Sequence, residues 1–173
     1  MQERTRWLIL IYRLPREPSR YRVAVWRQLK VLGALYLQDG VVLLPEDAVT
    51  REQLEWLQLR VREAGGEATL WEAQPNTSTE DRELVEAFRS SREEAYRALI
   101  AGAERIRRKA ELGGGGSLLE ALGKLERKFR AERRRDYFRS PLKTEAAVAL
   151  KTAREAVRGE GDAGVGIGAG GGS

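Results

Sequence analysis

The sequence predicts an α+β protein, with one sheet-and-helix module followed by a helical region. Three observations predict it. Two apolar runs, 34–37 and 41–44, flank the dipeptide Asp39-Gly40, a strong short-range signal for a hairpin closed by a type I′ turn. A strand and a helix precede that hairpin, and a helix and a strand follow it. Beyond residue 78, apolar residues recur at helical spacing over most of the remaining chain. The order β-α-β-β-α-β over residues 6–74 is the ferredoxin-like arrangement. Residues 78–158 are expected to form a helical hairpin and a further helix, and residues 159–173 a disordered Gly-rich tail with no apolar side chains to offset its ordering entropy.

Trp7 to Leu14 reads as the first strand. Trp7, Ile9 and Ile11 point one way, Leu8, Leu10 and Tyr12 the other, so both faces are apolar and both need a cover. Pro15 ends the strand, because proline has no N–H for the ladder. Ser19 is expected to cap the first helix, which turns Tyr21, Val25, Leu29 and Leu32 to the sheet and stops at Gly33. Thr50 to Gln53 matches a capping box for the second helix, whose buried stripe is Leu54, Leu57, Val61 and Ala64. Gly65-Gly66 stops it, and Glu67 to Ala73 gives the fourth strand. Helices cover one face of such a sheet. The other apolar face therefore calls for the C-terminal helices or for a second copy in a homodimer.

Ser78 with Glu80 and Asp81 opens a long helix, acids in its first turn favoured by the helix dipole. Its stripe is Leu84, Phe88, Ser91, Ala95, Leu99, Gly102 and Ile106, and Gly113 to Gly116 breaks it. Ser117 to Glu120 reads as another capping box. Leu118, Leu122, Leu125 and Phe129 form the seam of an antiparallel helical hairpin. Ser140 and Pro141 start a last helix with the stripe Ala146, Leu150, Ala153 and Val157.

The chain holds no cysteine and no histidine, which excludes disulfides, thiolate zinc sites, thiol catalysis and the commonest general base. The N-terminus is too polar for a signal peptide, and no apolar run nears the roughly 20 residues that span a bilayer. A cytoplasmic protein with no membrane partner is expected. The net charge of +5 and pI of 9.7 fit either a polyanionic partner or Arg-rich helices that are simply stable and soluble.

Three groups of residues carry candidate chemistry. Arg13, Arg16, Arg20 and Arg22 cluster where the first strand enters the first helix, beside Ser19. Arginine forks suit oxyanions, so this is a candidate anion or effector site. Arg127, Arg130, Arg133, Arg134 and Arg135 form a basic run suited to phosphate backbones and thus to DNA, or else a solvated helix face, and Tyr137 and Phe138 beside it read as buried hinges between helices. Asp39, Glu46 and Asp47 are paired carboxylates of the kind that hold divalent metals. Asp39 is explained by its turn, so no metal site, catalytic residue or cofactor is assigned and the chain reads as a non-enzyme.

The segment from Trp7 to Arg20 resembles the opening of the ChrB N-terminal domain family, associated with chromate resistance. Residues 24–34, 37–41 and 63–68 continue the likeness, as do Asp136-Tyr137-Phe138 with Pro141, and it covers residues 6 to 155. The resemblance implies a regulator of chromate-export operons, DNA-associated and responsive to chromate or another oxyanion. Full-length members carry a second, C-terminal domain, whereas this chain runs into its Gly-rich stretch. The fold is also similar to the PaaX regulator core and to the small ferredoxin-like nucleases of CRISPR adaptation. Those nucleases hold a metal with an acid at the end of the first strand, where this chain has Tyr12-Arg13-Leu14. An interaction or scaffolding module that docks through its helical hairpin, and a degenerate nuclease relative, are the alternative readings.

Overall fold

The computed structural model describes residues 4–113 and 117–165, with side chains through residue 159. The elements run β1 (Trp7–Arg13), α1 (Arg20–Leu32), β2 (Leu35–Gln38), β3 (Val41–Pro45), α2 (Ala48–Glu63), β4 (Glu67–Ala73), α3 (Ser78–Glu111), α4 (Leu118–Arg134) and α5 (Leu142–Val165). The protein is α+β, with a four-stranded sheet in the order β2-β3-β1-β4 and every neighbouring pair antiparallel. The chain divides into two compact units, 1–88 and 89–173. The division falls inside α3 rather than at the linker before it. Its first turns belong with the sheet, because Phe88 stacks on Trp7 at 5.5 Å and Asp81 accepts from the Trp7 indole.

In the first unit, residues opposed across an antiparallel ladder share a face. Leu8, Leu10, Val42 and Leu44 lie on one face and are fully buried. There α2 packs on β1 and β4 through Leu54, Leu57 and Val61, and α1 packs beside α2. Trp7, Ile9, Ile11, Leu35, Leu43 and Trp71 lie on the other face. The start of α3 covers only its Trp7 end: Trp7 is buried, while Ile11 is 44% and Trp71 56% exposed.

Several local expectations are corrected. The hairpin turn is not type I′. That turn needs positive φ at both central residues, and of the pair only Gly40 has it, at 72°. The twist is taken up by a register shift between Tyr36 and Gln38. The capping box of α2 begins at Asp47, not Thr50. The Asp47 carboxylate accepts from Thr50 N at 2.7 Å and Asp47 N donates to Thr50 Oγ1 at 2.9 Å, while Gln53 turns to Gln28. Carboxylate acceptance is charge-assisted, which favours the earlier start. Ser19 and Ser117 occupy N-cap positions but make no side-chain cap. Glu120, assigned to a box with Ser117, pairs with Lys124 at 2.7 Å instead. Helix α3 is capped by Thr77, one residue before the expected Ser78, in a box with Glu80. Gly33 ends α1 at φ 70°, as expected.

The second unit is held by two clusters. Ala103, Ile106, Ala110, Leu118, Leu122, Leu150, Ala153 and Val157 form one. Tyr96, Leu99 and Ala146 form the other, with Phe129 against both. The expected stripes of α4 and α5 are thus in contact. The stripe of α3 runs through Tyr96 and Ala103, and Ser91 is exposed. Helix α5 continues to Val165, past the end expected at residue 158, because propagation adds one backbone bond per residue fixed. The rest of the expected tail, 166–173, lies outside the described residues.

Candidate anion groove and basic helix face

The first strand ends beside the hairpin because Gly40 comes close enough for its carbonyl to accept from Tyr12 N at 2.8 Å. A Cβ at Gly40 would sit 2.4 Å from the Tyr12 carbonyl oxygen, so only glycine allows this approach. It places Tyr12 and Tyr36 side by side, their hydroxyls sharing a hydrogen bond at 3.1 Å. Helix α1 rises beside them. The result is a groove of about 620 Å³ lined by Tyr12, Arg13, Ser19, Arg22, Trp26 and Asp39 among others.

Of the four arginines expected there, the groove gathers Arg13 and Arg22. Arg13 also pairs with Glu67 at 3.4 Å, both side chains more than 80% exposed, a weak bond that yields readily. Arg22 makes no ion pair among the described residues. Arg20 folds instead over the Tyr21 ring at 4.9 Å and donates to its hydroxyl, and Arg16 does not line the groove. The Ser19 side chain, unused as a cap, lines the groove as well. Burial, and then the bond to Tyr36, raises the Tyr12 phenol above its ordinary range, so it stays a neutral hydroxyl. Two cations, one carboxylate and three hydroxyls suit a small oxyanion. Sequence reading missed Tyr12 and Tyr36. Their shared face follows from strand alternation, but their contact depends on the β1–β3–β2 pairing.

The carboxylates Asp39, Glu46 and Asp47 have separate tasks. Asp39 lines the groove, Glu46 pairs with Arg51, and Asp47 caps α2.

The basic run lies on α4, and the ion pairs sort its members. Each acid of the helix is engaged. Glu120 pairs with Lys124, Glu126 with Arg154 at 2.9 Å, and Glu132 with both Arg92 and Arg135. Glu132 and Arg92 are nearly buried, and burial is the main cause of the lowered Arg92 pKa. Arg135 is therefore committed to a structural bond. Arg133 lies 5.9 Å from the Phe129 ring. Arg127, Arg130 and Arg134 remain exposed and in no ion pair among the described residues. Steps of three and four put them on one face. Tyr137 and Phe138 are half-buried, and the Phe138 carbonyl accepts from Arg89.

Among the described residues no helix is long and apolar enough to cross a membrane. No solved structure matches the chain. Protein ChrB of Cupriavidus metallidurans is 33% identical over 91 residues, which cover 53% of this chain. The matched stretch spans 28% of that relative's length. The model of the family described as "Protein ChrB, N-terminal" matches residues 22–163, which include Arg22 and the whole of α4. With most of its length so matched, the chain belongs to the ChrB N-terminal family.

Proposed function

We propose that this chain is a ChrB-type regulatory module of chromate resistance, cytoplasmic and non-enzymatic, that associates with DNA through one face of α4. The observation that carries the reading is the isolation of Arg127, Arg130 and Arg134. Every acid on their helix is already paired, so three cations stand together with no partner of opposite charge among the described residues. Such a strip repels itself and is relieved by a polyanion. The Tyr12–Arg22 groove takes chromate or another tetrahedral oxyanion as the effector, with Arg13, Arg22 and the hydroxyls as its donors. The element order and the strand order support a ferredoxin-like description of the first unit.

Duplex DNA from the gene's own upstream region, titrated at several salt concentrations, tests the DNA reading. Each phosphate contact contributes a log–log slope of about −0.9. Replacing Arg127, Arg130 and Arg134 together by Gln is expected to flatten the slope by roughly two to three units and to weaken binding to all sequences alike. A slope unchanged in the triple variant, or no binding by the unmodified protein at low salt, rejects it.

A further inference from the structure

The groove between α1 and the hairpin is larger than a tetrahedral anion needs. Its volume of about 620 Å³ falls in the roughly 300–1,000 Å³ typical of sites for drug-sized molecules. One wall is a ridge of α1. Arg22, Trp26 and Lys30 follow at steps of four, so guanidinium, indole and ammonium stand in line, one turn apart. The Lys30 ammonium lies over the Trp26 ring at 4.4 Å, and that ring is still 47% exposed where it lines the groove. The other wall carries the paired hydroxyls of Tyr12 and Tyr36 and the carboxylate of Asp39. Asp39 makes no hydrogen bond or ion pair among the described residues. A carboxylate only accepts, and an inorganic oxyanion offers it nothing but repulsion. The tetrahedral group at Arg22 therefore calls for a remainder with a flat ring for Trp26 and N–H donors for Asp39.

We infer that the groove binds a guanine mononucleotide, its phosphate held by Arg13 and Arg22, its base laid on Trp26 and its amino edge turned to Asp39. This rests on the reading of the groove as an oxyanion site and identifies the molecule that carries the oxyanion. The spacing suits it. Arg22 and Trp26 stand ~6 Å apart along the helix axis, the reach from a 5′-phosphate across a ribose to its base. Guanidinium forks match a phosphate dianion, and stacking of a base on an indole adds attraction that any base can use. Asp39 chooses the base. Guanine presents a ring N–H and an exocyclic amino group side by side, two donors for two carboxylate oxygens. Adenine and cytosine set a bare ring nitrogen beside their amino group, and its lone pair faces the second oxygen. Chromate and the nucleotide phosphate then compete for the same two guanidiniums. A free nucleotide and the 5′-phosphorylated end of an unpaired strand offer the same groups.

Isothermal titration calorimetry of the full chain with guanosine monophosphate (GMP), adenosine monophosphate (AMP) and inorganic phosphate tests this. A single-stranded oligonucleotide beginning in 5′-phosphoguanosine separates the two sources, and the tighter of it and GMP names the source. GMP is expected to bind about ten-fold or more tighter than either AMP or phosphate, and chromate to displace it. Trp26→Ala, at an exposed site, is expected to lower the ratio of GMP to phosphate affinity about ten-fold. Asp39→Asn is expected to remove the preference for GMP over AMP and to raise the affinity for phosphate, opposite signs that a merely disrupted groove does not give. GMP bound no more tightly than phosphate, or an Asp39→Asn variant that still prefers GMP, overturns the inference and leaves the oxyanion reading standing. Phosphate, chromate and GMP all unbound, or all bound unchanged by Arg22→Gln, overturns both.

Discussion

The indole Nε1 of Trp7 donates to Asp81 Oδ1 at 2.9 Å across 74 positions of sequence, with both side chains buried. The second carboxylate oxygen accepts from Thr5 N at 3.1 Å. One charged group thus satisfies two donors and ties the first turn of α3 to the first strand, while Phe88 stacks on the same indole two turns later. Removing the carboxylate strands a buried N–H. Asp81→Ala is therefore expected to cost about 3 kcal/mol in urea unfolding. The tryptophan near-ultraviolet dichroism is expected to change with it. A cost under about 0.5 kcal/mol shows that the tie contributes little.

Gly40 and Gly113 separate two effects of glycine. Both have φ near +70°, but a Cβ at Gly40 meets the Tyr12 carbonyl at 2.4 Å and one at Gly113 meets nothing within 4 Å among the described residues. Gly113→Ala is expected to cost about 1 kcal/mol, the left-handed penalty alone. Gly40→Ala adds a backbone clash, and a loss of about 3 kcal/mol or more is expected. Equal losses in thermal unfolding at the two sites contradict the close approach that builds the groove.

Tyr96 gives a pH dependence with a definite sign. Its buried hydroxyl donates to Asp136 Oδ2 at 3.1 Å, and Asp136 Oδ1 accepts from Ser140 N at 2.9 Å. Burial, and then the Asp136 charge, raises the phenol above its ordinary 10.0. The folded state therefore holds a proton that the unfolded chain releases. Stability is complete below pH 10 and falls as the pH rises beyond it, by up to about 1.4 kcal/mol per unit for each such group. Tyr12 contributes in the same sense. Tyr96→Phe is expected to cost about 1 kcal/mol at neutral pH and to make the alkaline decline shallower. Urea midpoints between pH 8 and 11 report both quantities, and parallel curves for the two proteins count against a raised Tyr96.

The groove is tested by equilibrium dialysis with chromate, and with sulfate as a second tetrahedral dianion. Arg22→Gln is expected to weaken retention about ten-fold or more, since charge-assisted bonds to a dianion are each worth roughly 1.5–3 kcal/mol. Arg20→Gln is expected to change it little, because that guanidinium is turned to Tyr21. Equal effects at both positions mean that the anion responds to diffuse charge and not to the groove.

The sequence by itself determined the elements and their order. The two-sided apolar β1, the stripe Leu54, Leu57 and Val61, and the steps Ala146, Leu150, Ala153 and Val157 are local periodicities. A strand or helix displays them whatever it packs against. The glycine at position 33 and the Asp39-Gly40 dipeptide mark chain reversals for a reason internal to the backbone. What the tertiary structure decided is which polar groups meet. Tyr12 with Tyr36, Tyr96 with Asp136, Arg92 with Glu132, and Trp7 with Asp81 lie 24, 40, 40 and 74 positions apart. Capping was missed for a related reason, since several adjacent oxygens compete for the same free N–H groups and strand exit geometry picks Asp47 over its neighbours. The basic run is the clearest instance. Five arginines look alike in sequence, and only the folded unit spends Arg135 on Glu132, lays Arg133 by Phe129, and leaves Arg127, Arg130 and Arg134 exposed. A charge's partner is set by distance in space, and local sequence carries no record of that distance.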